Sequence, residues 1–186
     1  MAQPTLTTER LILRPRIPED LEACFAMNRE PGTLDYVDFP RAPGSWGDEA
    51  AHRAYLDETF AHRNPPGLGY WTVTRRDDPG RFLGWVLMAE EDLKGPEVEI
   101  GWRFVTAARR RGYASEAARE MVRHGFETLG LDCLIADMYR ANAGSMGVAR
   151  KLGMRERPHP ERTTERYVLW ELRREDWLRQ RHPVGH

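Results

Sequence analysis

The sequence is short of cysteine, of lysine, of net charge and of long apolar runs. Only Cys24 and Cys133 occur among 186 residues, too few for a disulfide framework or a zinc quartet. A reducing, cytoplasmic setting is expected, with both thiols buried as small hydrophobes. No apolar stretch approaches the roughly 18 residues that span a bilayer, and residues 1–10 lack the apolar core of a signal peptide. No membrane partner is expected. Lys and Arg number 28 against 29 Asp and Glu, a formal net charge of −1. That balance offers no global pull toward nucleic acid, and basic residues are not interleaved with aromatics. Any anion site must therefore be a local cluster. Every basic residue except Lys94 and Lys151 is arginine, which pairs bidentately with phosphate where lysine acts as a point charge.

What is present mixes two periodicities. Residues 11–14 read as a first strand. Pro18, Glu19 and Asp20 open a helix with Leu21, Cys24 and Phe25 at helical spacing. A long loop follows from Glu30, punctuated by Pro31, Gly32, Pro40, Pro43 and Gly44. Ser45 to Asp48 resembles a capping box, predicting a second helix to about His62. Residues 70–74 and 82–88 form an antiparallel hairpin across a turn at 75–81, and a second turn at 90–96 leads to a strand over 98–105. A helix is predicted from about Tyr113 to Leu129, with Ala114, Ala117, Ala118, Met121, Val122, Gly125, Phe126 and Leu129 on one stripe and Gly130 as its C′ glycine. A strand at 133–139, a short helix at 143–152 and a last strand at 167–172 complete the core. The polar tail 173–186 is expected to fray. The 98–105 and 133–139 strands form a parallel crossover, while the earlier strands pair antiparallel. The expected fold is a mixed α/β sheet with helices on both faces, a single domain over 1–186 with its core at about 5–172.

The most informative stretch runs from Arg109 to Ala117, between the central strand and the long helix. The first N–H groups of a helix have no intrahelical partner, and the helix dipole adds positive potential there. Gly112 lets a ligand approach the backbone, Ala114 is too small to block it, and three arginines flank the turn. These features predict a pyrophosphate cradle. No Gly-Lys-Ser/Thr follows, so this is not the loop of nucleotide hydrolases, and it lacks the third glycine of a dinucleotide fingerprint.

Arg109-x-x-Gly112-x-Ala114 resembles the acyl-CoA pyrophosphate motif of the GNAT acetyltransferase superfamily, Arg/Gln-x-x-Gly-x-Gly/Ala. Glu99-Ile100-Gly101-Trp102 looks like the Glu-Ile-Gly-aromatic strand of its branch similar to ribosomal-protein N-terminal acetyltransferases. Asn142-Ala143-Gly144-Ser145 with Lys151-Leu152-Gly153-Met154 resembles that branch's Asn-x-x-Ser and Lys-Leu-Gly-Phe segment. The opening from Leu6 to Arg14 resembles its first strand. Together these pieces run in family order from about Thr5 to Leu172.

The resemblance implies a GNAT fold: a central, mostly antiparallel mixed sheet whose fourth and fifth strands, here 98–105 and 133–139, splay apart. The pantetheine arm of acetyl-CoA would lie in the splay against the backbone of Phe104 and Val105. Its pyrophosphate would sit on the N–H groups of Arg110, Arg111, Gly112, Tyr113 and Ala114. Arg109, or Arg150 with Lys151, would reach the 3′-phosphate. Asn142 would cap the short helix and contact pantetheine.

The implied reaction is direct attack of an amine on the thioester, with acetyl-CoA as cosubstrate and no metal. It needs an unprotonated amine and a proton for the leaving thiolate. Many relatives supply that proton from a Tyr seven residues after the Asn. Here that position is Ala149, and Ser145 is the substitute the closer branch offers. Glu99, Asp137 and Tyr139 are the candidate bases, Glu99 first because it belongs to the matched motif. His52, His62, His124 and His159 match no motif and are expected at the surface. The loop from Glu30 to Trp46, with Asp35, Tyr36, Asp38 and Phe39, is expected to select the acceptor, and its acids and aromatics suit a cationic one. The acceptor would be a protein N-terminus or a small amine, on a monomer or homodimer. The departure at Ala149 leaves a second reading open, an inactive acyl-CoA-binding sensor.

Overall fold

The computed structural model of the protein describes residues 2–38, 47–90, 97–158 and 165–181. Strands β1 (Leu6–Thr7), β2 (Leu11–Pro15), β3 (Gly69–Arg75), β4 (Asp78–Glu90), β5 (Val98–Phe104), β6 (Cys133–Tyr139), β7 (Arg155–Arg157) and β8 (Tyr167–Arg173) form one sheet in the order β1-β2-β3-β4-β5-β6-β8-β7. Its helices are α1 (Leu21–Asn28), α2 (Glu49–Ala61), α3 (Tyr113–Arg123), α4 (Ala143–Lys151) and α5 (Arg174–Arg181). Among the described residues only β5 and β6 pair parallel. The mixed α/β sheet with antiparallel majority is the architecture the sequence predicts.

Alternation along the strands separates two cores. Trp71, Val73, Val86 and Met88 point to one face, where they meet Ala117, Ala118, Met121, Val122 and Phe126 of α3. Trp85, Tyr70 and Leu87 point to the other, under Cys24, Phe25 and Met27 of α1 and Leu56 of α2. Asp20, buried where α1 begins, fixes that second layer. Arg14 donates to it with both terminal nitrogens at 2.8 and 2.6 Å, and Thr72 Oγ1 at 2.7 Å. Burial alone would raise the Asp20 carboxyl, but these bonds and the Ile17 N–H hold it below its ordinary range.

Several expectations change. Asp48, not Ser45, caps α2, its carboxylate accepting from the Ala51 N–H at 3.0 Å; Ser45 lies outside the described residues. The hairpin turn is tighter than the Asp-Pro-Gly cluster implies, since Arg75 already pairs with Asp78. β1 and β7, two and three residues long, leave too little pattern to read. The polar tail carries α5, whose Trp177 packs on Phe126 with ring centroids 5.3 Å apart. Cys24 is buried as expected, whereas Cys133 is only partly so.

Two of the four histidines expected at the surface are fully buried. His124 follows buried Met121 by three residues and Ala117 by seven, so the period of α3 turns its ring inward, and a π-helical turn (His124–Thr128) then continues the helix. Nε2 donates to the Gly67 carbonyl at 3.1 Å, and the ring meets Trp71 edge-on. His52 of α2 packs against Phe25 and accepts from Asn28. His62 is exposed, and His159 lies outside the described residues.

Candidate active site

β5 and β6 pair at a single position, Glu99 with Ile135, and then separate. The separation opens a cleft of about 850 Å³ lined on its two walls by residues 99–104 and 136–139. That volume lies within the range of small-molecule and cofactor sites. The Val105 N–H donates to Leu83 O at 2.9 Å, and the β4–β5 register continues without a shift. Antiparallel alternation therefore gives the amides of Gly101 and Arg103 to β4 and turns those of Trp102 and Phe104 toward the cleft. Phe104 is thus where the sequence places it. Val105 is not: its N–H goes to β4 and its carbonyl accepts from Ala108. The Trp102 amide, which the motif reading did not name and strand alternation could have found, shares the orientation of Phe104.

At the end of β5 the chain makes the predicted turn. Arg110 (φ 57°) and Gly112 (φ 82°) both adopt the left-handed region, and no side chain caps α3. Alternating backbone sign at an uncapped helix start makes a nest of N–H groups aimed outward. A Cβ on Gly112 would stand 3.3 Å from Arg10 Nη2 in addition to its backbone strain. Arg109, Arg110, Gly112, Tyr113 and Ala114 all line the cleft. Arg109 does so as a strut. Its Nε donates to Phe104 O at 3.0 Å and its Nη2 to Thr33 Oγ1 at 2.6 Å, tying the turn to the segment after α1.

Behind the turn lies a clamp that the motif did not reveal. Glu116, in the first turn of α3, accepts from Thr8 Oγ1 at 2.5 Å, the Arg10 N–H at 2.9 Å and Arg10 Nε at 2.7 Å. Arg10 Nη1 in turn donates to Arg111 O at 3.2 Å, and the guanidinium stacks 4.7 Å from the Tyr113 ring centroid. Burial would raise the Glu116 carboxyl, yet the bonds from Thr8 and Arg10 outweigh it and hold it low. Thr8 and Arg10 in the opening strand motif were the available signal.

The far wall is α4. Asn142 Oδ1 accepts from the Ser145 N–H at 3.0 Å, so it is the predicted cap. Ser145 lines the cleft beside Gly144 and Gly147, where a Cβ on Gly147 would meet nothing within 4 Å. Lys151 lines it too, while Arg150 turns away onto the Trp170 ring, 5.5 Å from its centroid. Ala149 is fully buried in the core, so the position occupied by Tyr in many relatives faces inward here.

The opposite end of the cleft is built from side chains. Glu99 and Arg103 share the β5 face turned toward α1 and α2, with Gly101 between them. Arg103 Nη1 donates to Asn28 Oδ1 at 2.8 Å, and Asn28 Nδ2 faces His52 Nε2 at 3.0 Å. An arginine can only donate, so the amide NH₂ must face the imidazole, and Nε2 is an acceptor. His52 is therefore neutral, and burial together with the Arg103 charge pushes its pKa down. Arg16 lies between the rings of Phe60 and Tyr70, 3.9 and 3.7 Å from their centroids. Burial raises the Tyr55 phenol and pushes that of Tyr70 up to about 12.

Asp137 and Tyr139 line the cleft from one face of β6, as predicted. Tyr139 stands in a rim cluster: its hydroxyl bonds Asp38, whose other oxygen accepts from Tyr167 at 2.8 Å, and Arg166 donates to the Tyr139 hydroxyl at 2.8 Å. Burial and the Asp38 bond raise the Tyr139 phenol above its ordinary value, which keeps the hydroxyl protonated at neutral pH. Of the loop residues expected to select the acceptor, Tyr36 and Asp38 reach the cleft, Asp35 lines a separate cavity of about 410 Å³, and Phe39 lies outside the described residues. Among the described residues no cluster of His, Cys, Asp and Glu could hold a metal ion, and no helix is long and apolar enough to cross a membrane.

Comparison with known proteins agrees with this geometry. A family model described as an acetyltransferase (GNAT) domain matches residues 10–155. The FsC-acetyl coenzyme A-N(2)-transacetylase of Aspergillus fumigatus is 30% identical over an alignment covering 98% of this chain and 81% of that protein. An acetyltransferase structure from Agrobacterium tumefaciens shares 28% identity at a TM-score of 0.69, covering 92% of this chain and 95% of the other. The spermidine N-acetyltransferase of Vibrio cholerae, solved with CoA and spermine, shares the fold at a TM-score of 0.66 and 14% identity, covering 92% of this chain and 99% of that one. The chain belongs to the GNAT acetyltransferase family, whose members are acetyl-CoA-dependent acyltransferases.

Proposed function

We propose that the protein is an N-acetyltransferase in which the two ends of one cleft hold the two substrates. The observation that carries this reading is the uncapped start of α3, with Arg110 and Gly112 left-handed, opening onto the splay between β5 and β6. The N–H groups of Arg110 to Ala114 would hold the pyrophosphate, and Lys151 would meet the outer phosphate, since Arg109 is held by Phe104 O and Thr33. The amides of Trp102 and Phe104 would bond the pantetheine arm as an added strand would. Bound acetyl-CoA supplies the thioester carbon that is attacked.

The chain's own residues then manage protons. Glu99 accepts the proton of the incoming amine, directly or through a water, so that its lone pair is available. The new C–N bond forms as the C–S bond breaks, and the Ser145 hydroxyl supplies the proton that the leaving thiolate takes. An α-amino group suits this base because its pKa lies near neutrality. The A. fumigatus relative acts at an N(2) position by its name, which favours a similar acceptor. A cytoplasmic setting suits both the free thiols and the cosubstrate.

Replacing Gly112 with Val tests the cradle. Acetyl-CoA affinity measured by calorimetry should fall at least about 100-fold, alongside a backbone cost of about 1–2 kcal/mol to stability. Unchanged affinity in a folded variant would overturn the assignment. Free-thiol release with a panel of amines tests the chemistry. Binding of acetyl-CoA without turnover on any amine would favour the sensor reading that Ala149 left open.

A further inference from the structure

The acceptor end of the cleft is cationic in a way that an amine alone does not explain. Arg16 donates Nη2 to the Thr59 carbonyl at 2.7 Å and otherwise touches aromatic rings. Arg103 donates Nη1 to Asn28 and lies 4.9 Å from the Trp85 ring centroid. Every one of these partners is neutral. Among the described residues neither guanidinium forms an ion pair, and the nearby Asp20 is engaged by Arg14. Burial pushes both guanidinium pKa values down, which marks charge held away from water. Such a charge is costly until an anion meets it.

Arg16, Arg103 and Glu99 line the same cleft as the phenols of Tyr55 and Tyr70. Two guanidinium groups share that end of the cleft with the Glu99 carboxylate, and Arg109 adds a further positive charge that acts on Arg103. An anion meets this charge; a polyamine would add to it. Glu99 and Arg103 stand at opposite ends of a β5 face whose middle residue, Gly101, has no side chain. At about 3.3 Å per residue their Cα atoms are roughly 13 Å apart, and both side chains reach inward from there.

Resting on the acetyltransferase reading of the cleft, we propose that the acceptor is an amine that also carries a carboxylate, with the amine at Glu99 and the carboxylate on Arg103 and Arg16. Arg103 retains Nε and Nη2, enough for a bidentate carboxylate contact. Asn28 and His52 are positioning residues: the neutral imidazole holds the amide, and the amide holds the guanidinium. The acids of the Glu30 to Trp46 loop are engaged elsewhere, Glu30 by the Thr106 N–H. Asp38 is shared among Tyr139, Tyr167 and Arg166, and Asp35 faces the separate cavity.

The experiment is calorimetric binding to protein saturated with coenzyme A, which does not depend on turnover. The ligands are the protein amino acids, the linear ω-amino acids from β-alanine to ε-aminocaproate, and the carboxamide of each. A further arm compares the peptide amides Asp-Ala-Ala and Asn-Ala-Ala. At least one acid should bind about 30-fold or more tightly than its carboxamide, and Arg103→Met should erase that preference, bringing the two affinities together. A free amino acid would identify a small-molecule acceptor, and a preference for Asp-Ala-Ala a polypeptide with an acidic first residue. Carboxamides binding as tightly as acids, or no acid binding at all, would overturn the proposal, whether or not the Arg103 variant folds. An acid that binds in an Arg103-dependent way but releases no thiol would uphold the carboxylate site and sink the catalytic reading instead.

Discussion

The two ends of the cleft are made of different material. The end at α3 presents backbone: N–H groups from a left-handed turn, strand amides of Trp102 and Phe104, and glycines on α4. The end under α1 and α2 presents side chains from five separate elements, namely Arg16 beyond β2, Asn28 of α1, Tyr55 of α2, Tyr70 of β3 and Arg103 of β5. Backbone recognition follows from conformation, so a few residues in a row specify it. Side-chain recognition follows from packing, so residues far apart in the chain must be brought together.

If that contrast holds, damage at one end should leave the other working. Glu99→Gln should lower kcat by about 10²- to 10⁴-fold while leaving acetyl-CoA affinity within error of the parent. A small loss, with a larger one in Asp137→Asn, would move the base to β6 and redraw the boundary between the two ends.

Glu116→Gln probes whether the backbone end is truly independent of side chains. It removes a carboxylate that accepts three bonds from Thr8 and Arg10, and should cost about 1.5–3 kcal/mol in denaturant unfolding. Because the folded-state pKa lies below the ordinary 4.5, this stabilisation is complete above that value and is lost as pH falls through the folded one. The parent should therefore lose stability below about pH 4.5 more steeply than the variant. Parallel curves would show that the clamp contributes nothing.

His52 gives the smallest effect and tests the other end. Its pKa is depressed in the fold, so the unfolded chain binds more protons below the ordinary 6.5. Stability should fall as pH drops from about 6.5 toward the folded value, and His52→Gln should flatten that limb. The glutamine also keeps an acceptor for Asn28, so the pH response separates from the packing role. An unchanged slope would place the proton uptake elsewhere.

The same contrast explains what could be read in the sequence. The order of the longer elements along the chain, α3 and its apolar stripe, the Gly112 turn and the Asn142 cap all depend on local residue type and period. They appear in the structure close to their predicted places. His124 defied expectation because it was read by residue type, although its spacing of seven from buried Ala117 and three from Met121 puts it on the inner side of α3. His52 defied it because its reason for burial, Asn28 holding Arg103, lies on two other elements. Arg16 carried no motif at all. Its place between Phe60 and Tyr70 exists only once α2 has packed on β3.

The ion pair between Arg10 and Glu116 has a kinetic meaning as well as a static one. It joins residues separated by 106 positions in the chain, across most of the sheet. Contacts of such long sequence separation carry a large loop-closure cost and are the slow ones in folding. The helix that presents the cradle can form locally, but the turn at its start is braced only after the first strands have docked. The braced form of the turn thus depends on a late contact, and Arg10 acts as the latch on a turn made a hundred residues downstream.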